Sequence, residues 1–125
     1  MPAVDLVDVE GMCIVFAKTK TTAVVSTKVP AMRPALYARI YRTGGAAVNR
    51  VLDRPQVTVT VGAKAGSVAA EREASKLRKA FLNDYTQMPL VRGVQEVTGL
   101  YYDPDPDTGE DRYSFTFQMS VRGKR

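Results

Sequence analysis

The sequence predicts a single α+β domain in which helices pack on one face of a mostly antiparallel sheet. Two segments carry apolar residues at helical spacing, and the segments between and after them alternate apolar and polar residues. The chain of 125 residues fits one domain over 1–125, and its 45% hydrophobic content is ordinary for a globular protein. The resulting order of helix, strands, helix and hairpin is typical of this fold class.

The first helix is predicted over residues 4–17. Asp5 is the expected N-cap, because a short acidic side chain there can accept a hydrogen bond from the first turn. Apolar residues recur at spacings of three and four and define one helix face: Leu6, Val9, Cys13 and Phe16. Cys13 is the single cysteine, so no internal disulfide can form, and it is expected to be buried.

Strands are predicted where β-branched residues and period-two alternation occur. These segments are residues 22–27, 35–42, 56–63, 94–102 and 112–122. In residues 35–42 one face carries Leu36, Ala38 and Ile40, and the other carries Tyr37, Arg39 and Tyr41. Gly99 is expected to interrupt its strand with a bulge, and the segment from Gly44 to Arg54 is expected to be a loop.

The second helix is predicted to begin after Gly66, with Ser67 as its N-cap, and to end near Asp84. Its apolar stripe follows spacings of four, three and four, through Ala70, Ala74, Leu77 and Phe81. Both helices therefore have one face suited to packing on a sheet.

Several kinds of chemistry have little support in this sequence. Histidine is absent, which removes the commonest general base and the commonest metal ligand. Phosphate-binding, dinucleotide-binding and nucleophile-elbow motifs are also missing. We therefore expect no catalytic residue, no cofactor and no metal site. The apolar runs are too short to cross a bilayer, and the acidic N-terminus does not resemble a signal peptide.

Charge is distributed unevenly along the chain. Residues 18–64 contain nine basic residues against Asp53 alone, whereas residues 103–111 contain five acidic residues and no basic one. The formal net charge is +5, which is a weak indication of an anionic partner. The more informative observation is that positive and negative charge are concentrated in different parts of the chain.

The acidic stretch reads YYDPDPDTGEDRY over residues 101–113. A calcium loop would need glycine at its sixth position and flanking helices, but Gly109 comes one position late and strands flank the stretch. A catalytic carboxylate pair would need a rigid scaffold with tuned surroundings. Aspartate, proline and glycine together favour the third interpretation, a hairpin turn.

A second candidate site combines aromatic and basic residues on the strand at 35–42. Tyr37, Tyr41, Arg39 and Arg42 suit a protein–protein interface, in which tyrosine and arginine are enriched. Nonspecific contact with nucleic acid is the alternative.

Three stretches taken together resemble the tail-terminator proteins of long-tailed phages that infect actinobacteria. They are PALYARIYRTGG at 34–45, LDRPQVTVTVGA at 52–63 and VQEVTGLYYDPDPDTGEDRYSFTFQMSVRG at 94–123. The resemblance covers the chain roughly from Val4 to Gly123. It implies a small domain that forms a ring, commonly of six copies, without catalysis or a cofactor.

In the role that the resemblance implies, the ring caps the tail tube, stops its polymerisation and presents a surface to the head. The implied partners are other copies of the chain, the tail tube protein and the head–tail connector or stopper protein. DNA would pass through the lumen during ejection. The implied location is the neck of the virion, after synthesis in the host cytoplasm.

Residue roles in such a ring are hypotheses from charge and side-chain type. The subunit interface would use Tyr37, Tyr41, Asp103, Asp105, Asp107, Glu110 and Asp111, with the acids near basic residues of an adjacent copy. The lumen would carry Arg39, Arg42, Arg50 and Arg54 near DNA phosphates, unless these arginines are solvent or interface residues. The segment from Gly44 to Arg54 is expected to be mobile before assembly. Another neck protein and a small basic nucleic-acid-binding module remain alternative functions.

Overall fold

The structure is a computed structural model that describes residues 8–29, 31–49 and 52–122. Asp5, Leu6 and Arg50 therefore lie outside the described residues. The elements, in chain order, are α1 (Val9–Lys18), β1 (Val24–Ser26), β2 (Leu36–Gly44), β3 (Ala47–Asn49), β4 (Leu52–Asp53), β5 (Gln56–Ala63), α2 (Ser67–Asn83), a 3₁₀ turn (Tyr85–Gln87), β6 (Val91–Tyr102) and β7 (Arg112–Arg122).

The first helix begins later than the sequence predicts. Asp8 caps α1 by accepting a hydrogen bond from the Gly11 backbone N–H at 3.1 Å, so the N-cap of this helix is Asp8 and not Asp5. A Cβ at Gly11 would lie 2.5 Å from an Asp8 carboxylate oxygen, so the absence of a side chain at Gly11 leaves room for the cap. The predicted face is confirmed where it is described: Val9, Cys13 and Phe16 are buried.

The described strands form one mixed sheet of seven strands. Its central path runs β1, β2, β5, β7, and β6 pairs with the other side of β7. Only β1 pairs in parallel, with β2; all other described pairs are antiparallel. β4 lies beside β7 in line with β5, since Leu52 pairs with Arg122 and Gln56 pairs with Gln118. The predicted α+β class with a mostly antiparallel sheet is confirmed.

Both helices pack on one face of this sheet. The face consists of alternate residues on β2, β5 and β7, including Ile40, Val59 and Phe117, which are at most 1% exposed. Phe81 of α2 lies at the centre of the core, with its ring centroid 5.0 Å from that of Phe16 and 4.7 Å from that of Phe117. Burying one such aromatic side chain contributes about 2–3 kcal/mol.

The second helix keeps its predicted stripe but not its predicted cap. The side chains of Ala70, Ala74, Leu77 and Phe81 are buried as expected. Gly66 is the N-cap, and Ser67 is the first helical residue. The backbone at Gly66 has φ of 112°, a conformation that residues with a Cβ rarely adopt, so glycine takes the cap position that was assigned to serine.

The segment from Gly44 to Arg54 contains two short strands and is not a loop throughout. β3 and β4 pair with each other, and β4 joins the main sheet through β7. Asp53 in β4 is only 1% exposed and binds Arg42, which gives this segment a buried anchor that the sequence pattern did not reveal. Its predicted mobility before assembly is a separate matter and stays a prediction.

The last two strands form a long hairpin, as predicted. β6 and β7 pair from Val91–Val121 to Tyr102–Tyr113. The register shifts between Thr98 and Tyr101, which brackets Gly99 and confirms the expected irregularity there. Residues 103–111 join the two strands.

Candidate functional site

Residues 103–111, called here the acidic loop, are held by their own backbone. The N–H of Asp105 donates to the Glu110 carbonyl at 3.0 Å, and the N–H of Gly109 donates to the Asp105 carbonyl at 2.8 Å. The Asp105 carboxylate also accepts from the Asp107 N–H at 2.8 Å. Gly109 has φ of 73°, which glycine adopts without strain. The interpretation as a hairpin turn is confirmed.

Arg33 ties the acidic loop to the segment that precedes β2. Its guanidinium lies 2.6 Å from an Asp105 oxygen and 3.1 Å from a Glu110 oxygen. The Tyr37 hydroxyl donates to the same Glu110 oxygen. Arg112 places a second guanidinium 3.8 Å from Asp105. The loop is thus bound by side chains of its own chain, in an arrangement called here the Arg33 cluster.

The pKa values of this cluster follow from its contacts. Hydrogen bonds from the Asp107 backbone and from Arg33 lower the pKa of Asp105 to about 2, so its carboxylate is charged at neutral pH. Burial, reinforced by the hydrogen bond to Glu110, raises the pKa of Tyr37 to about 12. Tyr37 therefore stays neutral and donates its proton to a charged acceptor.

Tyr37 reaches this position because β5 carries a glycine beside it. Tyr37 pairs with Gly62 in the β2–β5 register, and a Cβ at Gly62 would lie 2.4 Å from the tyrosine ring. The ring consequently lies against bare backbone and is 1% exposed. Tyr37 was predicted to lie on a subunit interface; within the chain it is a buried support for the acidic loop.

The acids of the loop have different surroundings. The sequence suggested an adjacent copy as the source of their opposing charge, but Asp103, Asp105 and Glu110 each have an arginine of the same chain within 4 Å. Asp111 accepts from the Tyr102 hydroxyl at 2.5 Å and has no ion pair among the described residues. The Asp107 side chain likewise has no partner there, and it is exposed.

The arginines that the sequence assigned to a lumen also differ from one another. Arg39 donates to the Thr27 carbonyl at 3.0 Å and lies over the Tyr41 ring, 3.9 Å from its centroid. Arg54 is exposed and has no ion pair among the described residues. Arg39 and Arg54 therefore remain compatible with contact to a phosphate. Arg50 lies outside the described residues, so its assignment stays a prediction.

Arg42 is bound inside the chain and is not free for a phosphate. Its two terminal nitrogens lie 2.9 and 3.0 Å from the two carboxylate oxygens of Asp53. Two more of its N–H groups donate to the carbonyls of Gly44 and Gly45. The Arg42–Asp53 pair anchors β4 beside the end of β2, so the proposed lumen role of Arg42 conflicts with the contacts that it makes.

A cationic groove along α2, called here the α2 groove, was not predicted from the sequence. It has a volume of about 760 Å³ and lies on the side of the helix that faces away from the sheet. Its basic residues are Lys20, Arg72, Lys76 and Lys79. Three of them fall at positions i, i+4 and i+7 of one helix, which is the sequence signal that could have revealed the groove.

The outer edge of the sheet at β6 is a second feature of interest. Among the described residues, β7 is the only strand that pairs with β6, so the other edge of this 12-residue strand is open. Three large apolar side chains on it are exposed by 40–50%: Val97, Tyr101 and Tyr102. A long open edge with apolar side chains is a surface that other chains can pair with.

Within the described residues, no group of three or more acidic or cysteine side chains is arranged to hold a metal ion. No described helix is both long and apolar enough to span a bilayer. Comparison with known protein families finds no family model that matches the chain, and comparison with curated proteins finds no match.

Proposed function

We propose that this chain is a phage tail terminator, a structural protein that closes into a ring on the end of the tail tube. In this role the ring stops tube polymerisation and joins the tail to the connector or stopper at the head. The proposal rests on the resemblance of three stretches of sequence to such proteins, together with surfaces on the monomer that suit self-assembly.

The open edge of β6 is the observation that carries the proposal furthest. Soluble monomers protect long edge strands with charges, prolines or short length, because unpaired backbone groups recruit other chains. β6 has 12 residues and carries two charged residues, Arg92 and Glu96, but Glu96 is bound to Arg78 of α2. Val97, Tyr101 and Tyr102 are exposed on the strand. Contacts between this edge and a different surface of the next copy would be heterologous, the type of contact that forms a ring when the rotation between copies closes.

Tail length in infected cells tests the function directly. Removing the protein from an infection should produce tails longer than normal, and supplying the wild-type chain from a plasmid should restore normal length. Electron microscopy of the lysate measures both outcomes. Tails of normal length that lack heads would instead identify the chain as another neck protein.

A single charged substitution tests the role of the β6 edge in ring formation. Val97→Lys adds a charge to the edge, and we expect ring formation to fall about tenfold or more because a lysine there opposes strand pairing. Val48→Lys is the matched control, since Val48 is similarly exposed (55% against 50%) but lies on β3. Native mass measurement reports the ring, and unchanged thermal melting reports the fold. Equal assembly of the two variants would count against the edge.

A nucleic-acid-binding module is the second candidate, favoured by the Arg39–Tyr41 stack and the exposed Arg54. A cation on an aromatic ring together with free arginines suits contact with phosphates and bases. Binding of a 20-base single strand to the isolated protein, weakening steeply as salt rises, would favour this candidate. Ring formation without DNA affinity at physiological salt would favour the terminator.

A further inference from the structure

The α2 groove is lined by more cations than carboxylates, and two of its cations have no ion pair among the described residues. Arg72 and Lys79 are exposed and have no ion pair among the described residues. Lys20 is bound to Asp84 at 3.3 Å, and Lys76 to Glu73 at 3.6 Å. The charged residues that line the groove are four cations and two carboxylates: Lys20, Arg72, Lys76, Lys79, Glu71 and Asp84. Counting Glu73, which is bound to Lys76, the groove has four cations against three carboxylates, an excess of one positive charge.

The acidic loop has the complementary excess of negative charge. Arginines of the same chain bind Asp103, Asp105 and Glu110. Asp107 and Asp111 have no cation within the described residues, and they are called here the free acids. The loop thus has two negative charges available to a partner.

The loop presents the free acids on a rigid support. The Arg33 cluster and the backbone hydrogen bonds of Asp105 hold residues 105–110 in place. A docking element that is ordered before it binds loses less conformational entropy on association. The internal pairing therefore prepares the loop for a contact and leaves two charges for it.

The groove and the free acids lie on different faces, so one copy cannot join them itself. The acidic loop is bound to Tyr37, which is on the face of the sheet opposite the helices, since its neighbour Ala38 belongs to the core between the sheet and the helices. The groove is on the outer side of α2. A contact between the two surfaces must join two molecules, and because the surfaces lie on opposite faces it favours a head-to-tail arrangement, which closes into a ring when the rotation between copies allows it.

We propose that the α2 groove of one copy receives the acidic loop of the next, with Asp107 and Asp111 opposite Arg72 and Lys79. This inference rests on the proposed function, because it names the surfaces through which the ring closes. A second copy suits the groove better than nucleic acid does. Glu71, which has no ion pair among the described residues, would repel a continuous phosphate backbone, and no described aromatic residue lines the groove for base stacking.

A charge exchange within one chain tests the contact. We expect Asp107→Lys with Asp111→Lys to weaken ring formation about 10- to 100-fold, and Arg72→Glu with Lys79→Glu to do the same, because each creates like charges across the interface. The fourfold variant reverses both surfaces and should recover most of the assembly. Native mass measurement over a protein concentration series, at low and physiological salt, gives the effect.

Lys28→Glu with Lys64→Glu is the matched control for the groove variant. It changes the net charge equally at two exposed lysines without an ion pair among the described residues. This control should assemble like the wild type, and thermal melting should show all variants folded. If the control forms rings as poorly as the groove variant does, net charge alone explains the loss of assembly, and the inference is overturned.

Other outcomes separate the inference from the proposed function. If the wild type forms rings and neither reversal weakens them, or the fourfold variant does not recover, the groove contact is wrong while the terminator proposal stands. If Arg72→Glu with Lys79→Glu abolishes binding of a 20-base-pair duplex but leaves rings intact, the groove binds DNA instead. If the wild type forms no ring alone or on tail tubes, both proposals fail.

Discussion

The two ends of the sheet hold arginine–carboxylate clusters that differ in sequence separation and in the number of arginines. At one end Arg42 binds Asp53, 11 residues away, with two short contacts. At the other end Arg33 binds Asp105, 72 residues away, and shares it with Arg112. Both arginines come from residues 18–64, the basic part of the sequence, so part of the charge asymmetry of the sequence is cancelled inside the fold. The first pair is a single ion pair with a buried carboxylate. The second is a network in which two arginines contact Asp105.

The comparison predicts the largest effect at the single anchor. Asp53→Ala should cost about 3 kcal/mol of unfolding free energy, because Asp53 is 1% exposed and its loss leaves Arg42 without its charge partner. Chemical denaturation measures the change. Asp107→Ala is the control, since this exposed acid should change stability by less than about 0.5 kcal/mol. Similar values for the two variants would mean that Arg42–Asp53 does not anchor β4.

The packing beneath the Arg33 cluster gives the next effect. Gly62→Ala should cost about 1–3 kcal/mol, because its Cβ would overlap the buried Tyr37 ring and displace it from Glu110. Gly93→Ala on β6 is the matched control, since its Cβ would meet no atom within 4 Å. Denaturation midpoints compare them. If both glycines tolerate alanine equally, Tyr37 does not depend on the close approach to β5.

The network at the loop end should respond less than the single anchor. Arg33→Gln removes the contacts to Asp105 and Glu110, but Arg112 remains 3.8 Å from Asp105 and retains part of the attraction. We expect a smaller fall in melting temperature than for Asp53→Ala, with faster amide exchange confined to residues 105–110. Differential scanning calorimetry and hydrogen exchange measure the two quantities. A larger fall than for Asp53→Ala would reverse the ranking of the clusters.

The smallest effect is a dependence on acid pH. The pKa of Asp105 is about 2 in the folded chain and close to 3.9 in an unfolded one. A lowered pKa stabilises the fold above pH 4, and this contribution disappears as pH falls from about 4 to 2. Asp105→Asn should flatten the wild-type loss of stability over that interval, as measured by urea denaturation at several pH values. Parallel curves for the two proteins would exclude Asp105 as its source.

Local patterns in the sequence predicted most of the elements. The stripe Ala70, Ala74, Leu77 and Phe81 and the alternation on β7 gave α2 and β7 correctly, because helix and strand periods depend on backbone geometry alone. Both helix caps were assigned wrongly, to Asp5 and Ser67. The choice among nearby candidate cap residues depends on backbone angles, such as φ at Gly66, and on the room that Gly11 leaves for the Asp8 carboxylate.

The candidate sites were predicted less well than the elements. Arg33 was counted only as a charge, and Tyr37 was assigned to an outer surface, yet both hold the acidic loop within the chain. The contact depends on the antiparallel register that places Tyr37 over Gly62 at the end of β5. No spacing along the sequence contains that information. The α2 groove was missed although Arg72, Lys76 and Lys79 are regularly spaced, because Lys20 reaches it from the end of α1.

The sequence by itself determined the class of fold, the apolar faces and the presence of two oppositely charged regions. Those properties are local, since they follow from residue type and from the periods of helices and strands. The tertiary structure alone decided which charges cancel and which remain for a partner. That outcome depends on distances of about 3 Å between side chains far apart in the chain, and only the sheet topology sets them. Asp107 and Asp111 on one side, and Arg72 and Lys79 on the other, are among the charges that remain.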